Sequence, residues 1–170
     1  MIRRDKNRAL ELLLHKLENK RNNLDFISFV SSKSFMADSE ILIIINFLMK
    51  KREESPIIDT LIVQFAHRVR LKIRDITDCL DYKIPKDFSL KMKLLGSIGS
   101  KHPDMVFAEL VSYAYESLPS SRRQVYAAIN MLDRSACDKI VETYLEILTR
   151  ETDAANIKKI KGALRKMRKV

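Results

Sequence analysis

The residues best suited to bind a metal or to act as nucleophile and base are three histidines, His15, His67 and His102, and two cysteines, Cys79 and Cys137. All five lie far apart in sequence. No H-x-x-x-H, C-x-x-C or H-E-x-x-H occurs, so the local ligand density of a zinc site is missing. A thiol becomes a nucleophile when a neighbouring base or positive field stabilises its thiolate. No paired base stands beside either cysteine, and both read as small apolar core residues. His102, before Pro103, reads as a helix-start residue, and His67 as a core-edge residue. The stretch Gly96-Ser97-Ile98-Gly99-Ser100-Lys101 looks superficially like a phosphate cradle. It lacks the G-x-x-x-x-G-K-[ST] spacing and follows no strand. Its G-x-x-G would need a sheet to act as a backbone clamp, so it reads as a helix ending on glycine. Glu142 and Glu146 pair one helical turn apart, and a solvated face accounts for them. These patterns build no active site; no catalytic residue, metal, cofactor or small-molecule substrate is expected.

Composition narrows the remaining classes. The chain has 170 residues, 46% hydrophobic and 32% charged, with 3 Gly and 4 Pro. Apolar residues are too plentiful for disorder, and glycine and proline too few for a turn-rich β architecture. Two cysteines exclude a disulfide scaffold. The net charge of +10 is uneven: residues 1–23 carry +4, residues 154–170 carry +7, and the body between them −1. The start runs straight into an amphipathic pattern without a signal-like apolar segment. The longest nearly apolar run, Ile41–Met49, is nine residues, well short of a bilayer span. An intracellular protein, cytoplasmic or nuclear, is expected, without a transmembrane segment.

The apolar spacing is helical almost throughout. Helices are expected near 3–21 and 24–30, then over Ile41–Leu48, apolar nearly all round and hence central. Ser55-Pro56 opens a helix of about 25 residues through Leu80. Val69, Leu71 and Ile73 alternate there with Arg68, Arg70, Lys72 and Arg74 in strand period, yet no partner strand exists, so helix is preferred, bent or broken near 74–78. Pro85 marks a boundary with Asp87 capping 88–97. The helix after His102-Pro103 places Val106, Leu110, Ala114 and Leu118 inward, and Pro119 closes it before Ser120 or Ser121 caps the next. Ser135-x-x-Asp138 resembles a capping box. Asp153 caps a last helix carrying Ile157, Ile160, Leu164 and Met167. The whole is expected to be a single all-α domain, 1–170, with a basic N-terminal helix within 1–23 and a basic amphipathic helix at 154–170.

The second half repeats at an offset of 34 residues. Leu95, Ile98, Asp104, Val106, Leu110, Val111 and Ala114 fall on Ile129, Leu132, Asp138, Ile140, Tyr144, Leu145 and Leu148. At these residues, mainly 88–150, the chain resembles HEAT-like helical repeats. That resemblance implies helical hairpins stacked as a short α-solenoid and used as a binding scaffold. A compact multi-helix bundle is the alternative architecture.

Two surfaces follow. Glu109 and Glu116, with Tyr113 on the flank, and Glu142 and Glu146 would form an acidic face suited to a protein partner. That protein-binding scaffold is the preferred function. The alternative is contact with nucleic-acid phosphates through Arg68, Arg70, Lys72, Arg74, Lys158, Lys159, Lys161, Arg165, Lys166 and Arg168. Residues 154–170 contain no aromatic side chain, which disfavours base stacking.

Overall fold

The computed structural model describes residues 38–53, 56–69 and 74–167. The chain divides into two compact units, one reaching Val69 and one starting at Arg70. Among the described residues the regular structure is entirely helical, eight α-helices and two 3-10 turns without a strand. The expected helices before residue 31 lie outside the described residues.

In the first unit α1 (Asp38–Lys50) packs on α2 (Ile57–Ala66) as a hairpin. Ile41, Ile44, Ile45 and Leu48 are buried on α1, and Ile58, Leu61, Ile62 and Phe65 on α2. Both sets recur every three or four residues, the spacing of one helical face. α1 is not buried all round, since Ile43 is 60% exposed. Just past the end of α1, Arg52 binds Asp59 through Nε at 2.8 Å. The pair is mostly buried, with side-chain exposures of 8% and 15%.

The helix expected to run on from Pro56 through Leu80 stops at Ala66. The N–H groups of Arg68 and Val69 donate to the carbonyls of Phe65 and Ala66, tightening the chain into the i→i+3 pattern that ends helices. Val69, the first of the alternating apolar residues, is buried beyond the end of α2, and Leu71 and Ile73 lie outside the described residues. Arg70 and Lys72 lie outside the described residues, and Arg74 opens the short helix α3 (Arg74–Asp78).

The second unit continues with α4 (Pro85–Gly99), a 3-10 turn (Pro103–Met105), α5 (Phe107–Glu116) and α6 (Pro119–Ile129). A second 3-10 turn (Arg134–Ala136), α7 (Cys137–Leu148) and α8 (Ala154–Met167) complete it. Pro85 and Pro119 each open a helix at its first position, where the missing N–H has no partner to lose. Neither the Asp87 cap nor the serine caps are used in the expected way: Asp87 sits inside α4, and extended Leu118 precedes α6. Leu118, expected to face inward, is 73% exposed because α5 has already ended at Glu116. The second 3-10 turn is capped by Asp133, whose Oδ1 accepts from the Ser135 N–H at 3.0 Å, not by Ser135. Asp153 does cap α8, accepting from the Asn156 N–H at 2.8 Å.

α6 packs against both α4 and α8, while α5 contacts α4, α6 and α7, and α7 lies on α8. Helices α4, α6 and α8 thus form one row, and α5 and α7 a second. The first-row helices begin at Pro85, Pro119 and Ala154, 34 and 35 residues apart. Leu95 and Ile129, Ile98 and Leu132, Val106 and Ile140, and Leu110 and Tyr144 are each buried in both members of the pair.

The seam between α4 and α6 explains the two glycines of α4. Neither has positive φ, so neither serves as a left-handed helix end. A Cβ on Gly99 would collide with Leu132 Cδ2 and approach Val106 Cγ2 to 2.9 Å. One on Gly96 would meet Met131 Sδ at 2.9 Å and the Ala128 backbone at 3.3 Å. The Asp133 N–H donates to the Gly99 carbonyl at 3.0 Å, tying the two rising segments together. The glycines are small because α6 and the connections after it and before α5 are close.

A polar knot holds α6, α7 and α8 in register. Glu151 is buried, and its carboxylate accepts from the Tyr126 hydroxyl at 2.8 Å and from the N–H groups of Thr152 and Asp153, both at 3.0 Å. Asn156 Nδ2 adds the Pro119 carbonyl at 2.8 Å. The Tyr144 hydroxyl donates to Asn130 Oδ1 at 2.8 Å, and its ring meets Tyr126 edge-on. Burial alone would raise the Glu151 pKa. The Asp153 N–H, the Tyr126 hydroxyl and the Arg122 charge outweigh it and hold the group below the usual carboxylate range.

Candidate functional site

The residues of the expected acidic face separate into three environments. Glu109 does not face solvent freely: Arg74 Nη2 lies 2.6 Å from its Oε2 and Lys91 Nζ 3.5 Å from its Oε1. Lys91 is itself buried, with its ammonium 5.6 Å from the Tyr113 ring centroid. Burial would lower the Lys91 pKa, yet Tyr113 and Glu109 raise it on balance. Glu109 thus joins α3, α4 and α5 internally. Arg74, a candidate phosphate contact, is occupied by the same pair.

Glu142 and Glu146 remain exposed on α7. Glu146 takes Arg150 Nη2 at 3.3 Å, and the Arg150 guanidinium stacks 5.4 Å from the Tyr115 ring centroid. Burial first, and then the Glu146 carboxylate, push the Tyr115 hydroxyl pKa up. Lys139 Nζ of α7 reaches Asp104 Oδ1 of the first 3-10 turn at 2.8 Å. Much of the acidic charge on this side is therefore answered by nearby cations.

Tyr113 and Glu116 instead line a notch of about 230 Å³ with Tyr82, Lys83, Phe88 and Leu118. The Tyr113 ring stands edge-on to buried Phe88 at 5.7 Å and tilted to Tyr82 at 6.2 Å. The Ser112 hydroxyl donates to Glu116 Oε1 at 2.7 Å, fixing the acid at the rim. Tyr82 is 55% exposed, and together with Leu118 it sets an apolar patch beside charged groups. Sequence spacing could not place Tyr82 and Leu118 here, since both lie in connections between helices.

The other surface is basic. A cavity of about 560 Å³ lies between α8 and the α6–α7 connection, lined by Arg134, Cys137, Lys158, Lys159, Gly162 and Lys166 among others. No acidic side chain is among the described residues that line it. A second, of about 400 Å³, is lined by Lys158, Lys161, Gly162 and Arg165. Lys159 Nζ donates to the Arg123 carbonyl at 2.9 Å. Desolvation, followed by the Arg123 charge, lowers its pKa. Five of the expected phosphate contacts, Lys158, Lys159, Lys161, Arg165 and Lys166, come together on α8. Arg68 sits half-buried in the turn after α2, and Arg168 lies outside the described residues. Arg134 and Gly162 carried no functional signal in sequence, one being a lone arginine and the other a lone glycine.

Cys79 is exposed and Cys137 half-buried, both as free thiols. Among the described residues no three His, Cys, Asp or Glu side chains gather as a metal site, and no helix is long and apolar enough to cross a membrane. Comparison with protein-family models, curated proteins and solved structures finds no match.

Proposed function

We propose that this chain is a non-enzymatic interaction module of HEAT-like helical repeats, whose principal ligand is a protein. The observation that carries the reading is the pair of rows, α4–α6–α8 and α5–α7, with first-row helices starting 34 and 35 residues apart. Such stacking gives each hairpin contacts mainly with its neighbours and supports an extended binding surface. The partner-facing surface combines the notch of Tyr82, Tyr113, Glu116 and Leu118 with Glu142 and Glu146 of α7. Glu109 supports that surface from behind through Arg74 and Lys91. A partner with an apolar anchor and nearby basic residues complements it: the anchor covers Leu118 and Tyr82 while the cations meet the glutamates.

The test is affinity capture from nuclease-treated lysate of the source organism, with wild type beside Leu118→Asp and the pair Glu142→Lys with Glu146→Lys. A protein retained by wild type and lost from both variants is the expected result. If nuclease treatment abolishes every association, or if both variants retain every protein that wild type retains, the reading is overturned.

A further inference from the structure

Glycine inside a helix is unfavourable by roughly 0.5–1 kcal/mol relative to alanine, so its presence calls for a reason. Gly96 and Gly99 have theirs in the packed seam. Gly162, in the middle of α8, does not: a Cβ there meets no atom within 4 Å. What surrounds it is open space. The cavities of about 560 and 400 Å³ lie on either side of the helical line through Lys158 and Gly162, and both residues line both. The two cavities share Lys158 and Gly162, with no side chain at 162 to stand between them, and together they make a trough across α8. Arg134, Lys159 and Lys166 border it on one side and Lys161 and Arg165 on the other, with Lys158 between.

We propose that this trough binds the sugar–phosphate backbone of nucleic acid, with the strand crossing α8 at Gly162. Charge complementarity selects the occupant. The cations continue on both sides of the crossing point with no acidic residue among the described lining, and a ligand charged at every repeat satisfies all of them. An acidic peptide would also bring backbone N–H and C=O groups that need partners, and among the described residues only Asn130 and the weakly polar Cys137 thiol are neutral polar groups lining either cavity. Among the described residues neither lining includes an aromatic ring, which disfavours base stacking and points to recognition independent of sequence. This site is separate from the protein-binding surface and stands without it.

Fluorescence anisotropy with the full chain and labelled 20-nucleotide oligo(dT) and oligo(U) tests the proposal. Binding at low salt should weaken with added salt at about 0.7 logarithmic units per phosphate contacted. The pair Lys158→Gln and Lys166→Gln should bind about three- to tenfold more weakly, with the slope shallower by about 0.7 for each charge removed. Gly162→Leu should weaken binding several-fold with the slope nearly unchanged, because it fills the crossing without altering charge. Circular dichroism should show all variants as helical as wild type. Absence of salt-dependent binding, or wild-type affinity in both the lysine and the Gly162 variants, overturns the proposal. Displacement of the oligonucleotide by poly-glutamate at equal charge concentration also overturns it, and gives the trough to an acidic protein segment.

Discussion

Helices α4 and α8 both carry glycine in their second half, and they use it in opposite ways. In α4 the absent side chains leave room for Ala128 of α6, for Met131 and Leu132 just beyond its end, and for Val106 at the start of α5. In α8 nothing fills it, and the gap is bordered by lysines. The contrast extends to the rest of each helix. From Leu94 to Gly99 every residue of α4 is buried, whereas α8 buries Asn156, Ile160, Ala163 and Leu164 and leaves most of its charge in solvent. One helix is a packing element within the stack; the other is half packing and half surface. Small residues thus mark close approach in both places, once by protein and once, on the proposal above, by ligand.

The largest effect expected lies in the packed region. Leu110→Ala, at a fully buried α5 position, should destabilise by about 2–5 kcal/mol in chemical denaturation. A loss under about 0.5 kcal/mol would break the two-row packing. Gly99→Ala comes next, at about 1–3 kcal/mol of destabilisation, because β-branched Val106 cannot rotate freely out of the way. Gly96→Ala should be milder, since its first obstacle is the flexible Met131 side chain. Equal effects at 96 and 99 would show that the seam does not distinguish them.

The knot that anchors α8 should respond less strongly, and in a pH-dependent way. Glu151→Gln should lower stability by about 1–2 kcal/mol at neutral pH, since charge-assisted hydrogen bonds are weakened. The folded-state pKa of Glu151 is depressed below its ordinary 4.5. Its stabilisation is therefore complete above about pH 4.5 and is lost as pH falls through the folded value. Melting curves across pH 3–7 should show wild type and variant converging on the acid side. A gap of constant size would assign the effect to shape instead of charge.

The smallest effect has the opposite sign. Gly162→Ala should stabilise by about 0.5–1 kcal/mol, because helix propensity improves and no atom stands in the way. Destabilisation there would remove the contrast with Gly99 altogether.

Secondary structure was largely legible without coordinates, for a local reason. Apolar spacing at Ile41, Ile45 and Leu48, or at Val106, Leu110 and Ala114, reports one helical face directly, and all six are buried. Asp153 announced the start of α8 just as directly. Misreadings clustered where a residue has two uses. Pro119 both ends and begins helices, and only the early close of α5 reveals that it begins one and leaves Leu118 outside. Gly96 and Gly99 mark a helix end in sequence, and α4 does end at Gly99, but neither takes the left-handed conformation; what requires them to be small is the close packing around them. The centrality of α4 was hidden by Lys91 and Ser97, polar residues buried within it.

The sequence by itself determined the all-helical class, the uneven charge and the 34-residue offset, since propensity, net charge and periodicity are properties of a chain read residue by residue. Only the tertiary structure decided which charges are free. Glu109 became internal when Arg74 and Lys91 closed on it, and Tyr113 left the acidic face for the notch with Tyr82. Arg134, distant in sequence from α8, came to border a cavity with Lys158, Lys159 and Lys166. The physical reason is that electrostatic and steric interactions act over a few ångströms of space, and which residues share that space is set by how the helices pack.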